Sequence, residues 1–331
     1  MTWTYVIGSN EFTLHEHSVP YLAENCYDYT ASLLIFYWCG VKLGEIIAKK
    51  EAPMKWEDLA QITDETVHIS KIYEIFDEDA RLRSPAGRVE FLTTVRYIEK
   101  YLQPGARILD VGAGTGAYSF YFAKQGYHVD ALELADKNVR VFREKLEGHS
   151  GLSLTLRQGN AVDLGEYESD SYDIVMLLGP LYHLQKVEDR QKCIAEAKRV
   201  CKPDGMIFFA FIHNDMVILT ELDYDPHWLD GETYDHESFK VMDFPFVFHT
   251  VDQCRQMLAE GGVQVVHEVA SDGVSELMAE RINGLSESEY AQYLRYHWYC
   301  CEKPEMLGHS NHLLFVGCKA GKNNNRCAGE S

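Results

Sequence analysis

Apolar positions recur at two periods along the chain, and the change of period marks out its elements. Val89, Leu92, Val95, Ile98 and Leu102 fall at helical spacing, predicting an amphipathic helix over Gly87 to Leu102, ended by Pro104-Gly105. Short apolar runs then alternate with helical stretches. The runs Ile108–Val111, His128–Leu132, Leu152–Leu156, Ile174–Leu178 and Met206–Ile212 read as strands. Tyr118–Gln125, Asp136–Glu147 and Asp189–Cys201 read as the helices between them. A strand at Val263–Val269 follows a helix at Val251–Glu260, and His312–Cys318 makes a seventh strand. This alternation predicts an α/β fold: a doubly wound, mostly parallel sheet with helices on both faces.

Three segments stand outside that rhythm. Cys26 to Lys50 and Trp56 to Ile62 read as aromatic-rich helices, so residues 1–80 are expected to form an N-terminal helical cap or interface element. The interval 214–248 mixes acids with Trp228, Tyr234 and several phenylalanines after the fifth strand. There it either arches over the ligand crevice as a lid or runs as a solvated loop. The tail 321–331 is polar and expected to be disordered. Residues 81–320 make up the main domain.

The chain has 331 residues, 46% of them hydrophobic and 25% charged, which suits a soluble globular protein. Its formal charge of -20, from 51 acids against 31 bases, argues against a nucleic-acid partner. Nine cysteines without a CxxC pair read as reduced thiols of a cytoplasmic protein. The N-terminus lacks the regions of a signal peptide, and the apolar run Leu33 to Val41 is too short to span a bilayer. The N-terminal extension is the candidate surface for a homodimer.

Candidate chemistry centres on Asp110-Val-Gly-Ala-Gly-Thr-Gly116. A buried strand runs into Gly112, Gly114 and Gly116, and a helix starts at once, so backbone can approach a nucleotide closely. Gly112-x-Gly114-x-x-Ala117 also satisfies the dinucleotide pattern, which leaves a nicotinamide dehydrogenase as a rival. Four later features bear on that choice. Glu133 closes the second strand, where an acid can bind ribose hydroxyls. Gln158-Gly-Asn-Ala-Val-Asp163 follows the third strand. Gly179-Pro-Leu-Tyr-His183 follows the fourth. Arg199-Val-Cys-Lys-Pro-Asp-Gly-Met-Ile-Phe-Phe209 is a helix end, a turn and a strand.

With these in order, the sequence from about Tyr73 to Lys319 resembles the class I S-adenosylmethionine (SAM)-dependent methyltransferases. ILDVGAGTG resembles their first motif, ALELAD their acidic loop, GNAVDL their adenine loop, and RVCKPDGMIFF their strand-five element. Asp204 stands where the family usually has Gly, and Cys201 where it often has Leu. The segments GPLYHL, IYEIFDEDARL, VEFLTTVRYIEKYL and GHSNHLLFVGCK look like a bacterial branch of small-molecule-type members.

The resemblance implies a Rossmann-like seven-stranded sheet with its last strand antiparallel, and SAM as cofactor, released as S-adenosylhomocysteine. It implies that Asp110, Gly112, Ala113, Gly114 and Gly116 line the methionine and ribose side. Glu133 would bind the ribose, Leu134 would flank the adenine, Asn160 and Ala161 would meet its edge, and Leu178 and Gly179 the methionine chain. Tyr73 either closes over the sulfonium or packs in the core, and Arg88 either pairs with the SAM carboxylate or sits in a surface ion pair.

The implied reaction moves a methyl group to an O, N or S nucleophile of a small molecule. A protein or RNA acceptor and a non-catalytic SAM-binding regulator are the alternatives. His183, beside Tyr182, either accepts the acceptor's proton or shapes the pocket. No metal-ligand set stands out. His309 and His312 are three residues apart but abut a strand and are expected to lack a nearby carboxylate, which predicts a structural role.

Overall fold

The computed structural model describes residues 2–7, 10–15, 59, 61–75 and 82–320. The chain divides into two compact units, Met1–Met54 and Lys55–Ser331. The second therefore begins earlier than the boundary expected at residue 80. The described part of the first unit is an antiparallel hairpin, β1 (Thr2–Ile7) and β2 (Asn10–His15), with Thr2 opposite His15 and Ile7 opposite Asn10. These residues were expected in a helical cap. Alternating β-branched and aromatic residues through Thr2–Ile7, followed by Gly8, explain the strand instead. The helices expected at Cys26–Lys50 and Trp56–Ile62, Leu59 and the last two residues apart, and the tail 321–331 lie outside the described residues.

The second unit opens with α1 (Glu65–Ile75) and α2 (Arg88–Glu99). The β/α alternation follows: β3 (Arg107–Val111), α3 (Ala117–Lys124), β4 (His128–Glu133), α4 (Asp136–Glu147), β5 (Leu154–Gln158), β6 (Tyr172–Leu177), α5 (Pro180–His183), α6 (Val187–Val200) and β7 (Cys201–His213). After α7 (Asn214–Tyr224) come β8 (Phe248–His249), α8 (Val251–Glu260), β9 (Val263–Ala270), α9 (Ala279–Asn283), α10 (Glu287–Cys300), α11 (Pro304–Leu307) and β10 (His312–Lys319). The sheet order is β5-β4-β3-β6-β7-β10-β9, and β10 runs antiparallel to both neighbours. Ile212 and His213 at the end of β7 are paired by the two-residue β8, so the sheet has eight strands rather than seven.

Strand periodicity sorts the core into two layers. Leu109, Val111, Val175, Leu177, Ile207 and Phe209 face one side and pack with Ile194 and Ala197 of α6 and Leu258 of α8. Ile108, Ile174, Met176, Met206 and Phe208 face the other and pack with Val95 and Ile98 of α2, Phe122 of α3 and Phe142 of α4. Such alternation buries both faces of the sheet and accounts for the doubly wound layering. The Pro-Asp-Gly turn is absorbed into β7 as a bulge: Cys201 lies opposite Tyr172 and Met206 opposite Ile174. A Cβ at Gly205 would stand 2.9 Å from the Tyr172 carbonyl oxygen, so the bulge closes only on a glycine.

The carboxyl ends of the five parallel strands β3 to β7 lie at one edge. The chain leaves β3 toward α3 and β6 toward α5, so the order reverses between these neighbours. In open α/β sheets the ligand crevice forms at such a reversal. β10 runs the other way, which brings its first residue, His312, beside Ile212 at this same edge.

Gly116 is the glycine the packing depends on most. Its φ is +92°, and an added Cβ would lie 2.6 Å from the Phe142 ring. Gly116→Ala is expected to lower stability by about 2–4 kcal/mol in urea unfolding. At Gly105, with φ +78° and open space, the same change should cost only about 1–2 kcal/mol. Equal losses at the two positions would contradict the packing role.

Candidate functional site

A cavity of about 860 Å³ occupies the carboxyl edge. One wall is the loop after β3: Asp110, Gly112, Ala113, Gly114 and Thr115. The amides of Gly112 and Ala113 both donate to the Leu132 carbonyl, at 2.8 and 3.0 Å, which bends the loop across the end of β4. The Gly114 amide then donates to Glu133 Oε2 at 2.7 Å. Glu133 Oε1 accepts from the Ala135 amide at 2.8 Å and from Asn138 Nδ2 at 3.3 Å. Burial raises the pKa of Glu133, and these donors oppose the shift. Asp110 is also buried, and desolvation pushes its pKa up to about 7 although Ser119 Oγ donates to it at 2.6 Å.

The three glycines serve different ends. A Cβ at Gly112 would meet the Pro180 ring at 3.0 Å, and Gly116 faces Phe142. At Gly114 φ is +57° and nothing lies within 4 Å of the added Cβ, so its backbone is open to the cavity. Gly116 was expected at the cofactor; it is absent from the cavity wall because its α-carbon is packed against aromatic rings.

The opposite wall is aromatic. Tyr182 and His183 sit on α5, whose start is set by Pro180 at its first position. Arg190 Nη1 donates to the carbonyls of Leu184 and Gln185 at 2.6 and 3.0 Å, and the Val247 amide donates to the Tyr182 carbonyl at 2.8 Å. Tyr182 Oη donates to the Leu178 carbonyl at 2.8 Å. Tyr73 reaches the cavity from α1, where Lys137 Nζ donates to its carbonyl at 2.6 Å. Its hydroxyl lies 2.9 Å from His183 Nε2. His183 is buried, its Nδ1 has no hydrogen-bond partner, and desolvation, with a smaller contribution from His68, drives its pKa down to about 3.

Residues 214–248 complete the enclosure. Asn214 accepts from the Val241 amide and donates to the Phe239 carbonyl, each at 2.9 Å, and Ile212, Val217, Tyr234, Val241 and Phe248 form a small core. The two ends of this segment are packed structure, whereas most of residues 223–239 are exposed around the buried Tyr234. Val217, Thr220, Trp228, Met242 and Phe246 among its residues line the cavity.

Of the residues singled out from sequence, the cavity wall contains Tyr73, Asp110, Gly112, Ala113, Gly114, Leu178, Gly179, Tyr182 and His183. Glu133 stands directly behind that wall, joined to Gly114. Leu134, Asn160 and Ala161 follow the ends of β4 and β5, beside it but not lining it. Asn160 Oδ1 accepts from the Val162 amide at 3.1 Å, which stabilises its own turn. Arg88 is exposed at the start of α2 and is not on the wall, so the structure does not bring it to the site.

Sequence reasoning missed the far end. Asn311 and His312 from the start of β10, and Glu276, line the same cavity. His312 Nδ1 lies 2.7 Å from Asp272 Oδ2, so the histidine expected to lack a carboxylate has one. The two residues are forty apart in the chain and meet because β9 ends where antiparallel β10 begins. Among the described residues no group of three or more His, Cys, Asp or Glu could hold a metal ion, and no helix is long and apolar enough to cross a membrane. Cys193, Cys201, Cys254, Cys300 and Cys301 are free and buried. Cys318 is disulfide-bonded, unlike the reduced state expected throughout.

Residues 109–209 match the family described as "Methyltransferase domain". The chain is 36% identical over 118 residues to the ubiquinone biosynthesis O-methyltransferase of Hahella chejuensis, covering 35% of this chain and 48% of that protein. It is 30% identical over 162 residues to the protein of that name from Methylocella silvestris, covering 48% and 61%. The chain thus spans about half to three fifths of the length of these curated relatives. A solved SAM-dependent methyltransferase from Methanosarcina mazei aligns with 68% of this chain and 98% of its own, at a TM-score of 0.45 and 17% identity. From Leu109 in β3 to Phe209 in β7 the chain thus matches a methyltransferase domain, and its motifs resemble the class I S-adenosylmethionine-dependent kind.

Proposed function

We propose that this chain transfers the methyl group of S-adenosylmethionine to an O, N or S nucleophile of a small molecule, releasing S-adenosylhomocysteine. The observation that carries this reading is that one cavity joins the open backbone of Gly114 to an aromatic wall. The names of the curated relatives favour oxygen as the atom methylated. When bound, SAM supplies an electrophilic methyl on a sulfonium, which needs alignment with a nucleophile and exclusion of water.

The residues present fit that donor. At Gly114 a Cβ would project into open space, the cradle expected where backbone must approach a ligand closely. Glu133 Oε2 accepts one bond from Gly114 and keeps acceptor capacity for a ribose hydroxyl. Asp110, Gly112, Ala113, Leu178 and Gly179 form the adjoining wall, while Leu134, Asn160 and Ala161 sit where the adenine end would extend. Tyr182 and Phe246 shut water out on the acceptor side, and residues 214–248 act as the lid. Tyr73 places its ring at the cavity, where an aromatic face attracts a sulfonium.

His183 is assigned to the shape of the pocket rather than to proton removal. An imidazole whose pKa is near 3 gains little by taking a proton at neutral pH. It serves as a neutral hydrogen-bond partner that holds Tyr73. The same reading makes the protein a cytoplasmic enzyme without a nucleic-acid partner, paired as a homodimer through its N-terminal extension.

Two outcomes check this assignment. In Gly114→Leu the left-handed backbone costs about 1–2 kcal/mol, so the fold survives while S-adenosylhomocysteine affinity falls at least about a hundredfold in calorimetry. Retained affinity would remove the glycine loop from the site. The second concerns pH. Folded His183 stays neutral down to about pH 3, whereas unfolded histidine protonates near 6.5, so its contribution to stability is present above 6.5 and lost as pH falls. Between pH 7 and 5 this loss amounts to roughly 2 kcal/mol. The drop measured by denaturant unfolding should shrink by that amount in His183→Asn. His68, His249, His213 and His297 are shifted in the same direction and contribute to the slope that remains, while Asp110, pushed up to about 7, works against it.

A further inference from the structure

We propose that His312, oriented by Asp272, is the general base of this site, and that the acceptor it serves is a neutral aromatic compound bearing a hydroxyl group. The inference rests on the methyl-transfer reading above and assigns the acceptor side of the same cavity.

The geometry begins with the strand ends. Asp272 follows β9, and His312 opens β10 at the edge where β3 and β6 also end. Asp272 Oδ2 lies 2.7 Å from His312 Nδ1, while Oδ1 accepts from the His312 amide at 3.1 Å and from Ser310 Oγ at 2.5 Å. The Ser271 amide and Oγ both donate to the His312 carbonyl, at 3.0 and 2.8 Å. Backbone and ring of His312 are thus held from two sides. Burial alone would raise the Asp272 pKa, but the charge and hydrogen bonds of His312 and Ser310 keep it below the ordinary carboxylate value. An ionised carboxylate on Nδ1 fixes the Nδ1–H tautomer, which makes Nε2 the basic nitrogen, and it stabilises the imidazolium. Glu90 Oε2, 3.8 Å from Nδ1, adds to that stabilisation.

The cavity's own chemistry selects the acceptor. Its described lining includes Asp110, Glu221 and Glu276 but no lysine or arginine. The described acids Asp110, Glu221 and Glu276 disfavour an anionic acceptor, so the acceptor these residues fit is a hydroxyl that arrives with its proton on. Tyr182, Trp228, Phe244 and Phe246 offer aromatic faces for a ring. A neutral hydroxyl is a weak nucleophile and has to lose its proton as it reacts. The acceptor oxygen bonds to the methyl carbon, the S–CH₃ bond breaks with its electron pair left on sulfur, and the hydroxyl proton passes to His312 Nε2 and then to water. His183 cannot take this part, being buried with a pKa near 3.

The test uses the full chain. In ¹⁵N-histidine NMR without ligand, His312 should show Nδ1 protonated and Nε2 bare near neutral pH, and Asp272→Asn should lose that preference. A mixed or reversed tautomer in the wild type overturns the dyad, whether or not the variants fold. With SAM and a panel of phenol, catechol and resorcinol, His312→Gln should lower kcat about a hundredfold or more. Its S-adenosylhomocysteine affinity should stay within about threefold. Asp272→Asn should fall less and should displace the acidic limb of the pH–rate profile. The charged and titratable groups that face the dyad are Glu90, beside His312 Nδ1, and the imidazoles His213 and His297, near Asp272. Wild-type turnover of aniline or thiophenol but of no phenol, or of none of these, overturns the acceptor class, and full activity in His312→Gln overturns the base. A wild type that fails to bind S-adenosylhomocysteine would instead sink the underlying reading.

Discussion

Everything at the carboxyl edge depends on the hydrogen bond from the Gly114 amide to Glu133. The loop after β3 has three residues at positive φ in close succession, a shape a free chain would not hold. Glu133 holds it by bridging Gly114 to Ala135 across the ends of β3 and β4. The carboxylate is buried, so removing either donor would leave a charge poorly solvated in the core. That interdependence keeps the backbone of Gly112 and Gly114 at the cavity while Gly116 disappears into packing. The proposed donor-binding surface is thus made of backbone and owes little to flexible side chains.

The remaining walls divide the chemistry by environment. His183 is shut into an aromatic pocket and stays neutral, which suits it to hold Tyr73. His312 has a buried carboxylate on one ring nitrogen, which suits it to accept and share a proton. Two histidines of the same cavity thus differ in what lies beside Nδ1: no hydrogen-bond partner for His183, Asp272 for His312. Residues of the segment 214–248 line the same cavity, anchored by Asn214 and by the bond from Val247 to Tyr182.

The glycine loop and the acid that holds it were legible in the sequence because they are local. Strand, glycine turn, helix start and the acid closing the next strand lie within Arg107–Glu133, and their order alone places them at one edge. The periods of two and 3.6 placed Asp136–Glu147 and Val251–Glu260 to the residue. The acceptor half was hidden because its residues meet only through topology. Asp272 and His312 touch because β10 runs antiparallel, and no spacing in the chain announces that. Other misses had local signals that were passed over. Ser286-x-x-Glu289 is a capping box that starts α10, and Thr2–Ile7 has strand alternation although a helix was expected. Gly114 and Gly116 look alike in a motif, and only the Phe142 ring distinguishes them.

The central claim is that donor and acceptor share one cavity between Gly114 and the aromatic wall. A crystal structure with S-adenosylhomocysteine bound tests it most directly. The account predicts the sulfur inside this cavity, with the homocysteine chain along Asp110–Gly114 and the sulfur facing Tyr182 and the segment 214–248. A ligand seated elsewhere, or a sulfur turned away from that wall, would contradict it.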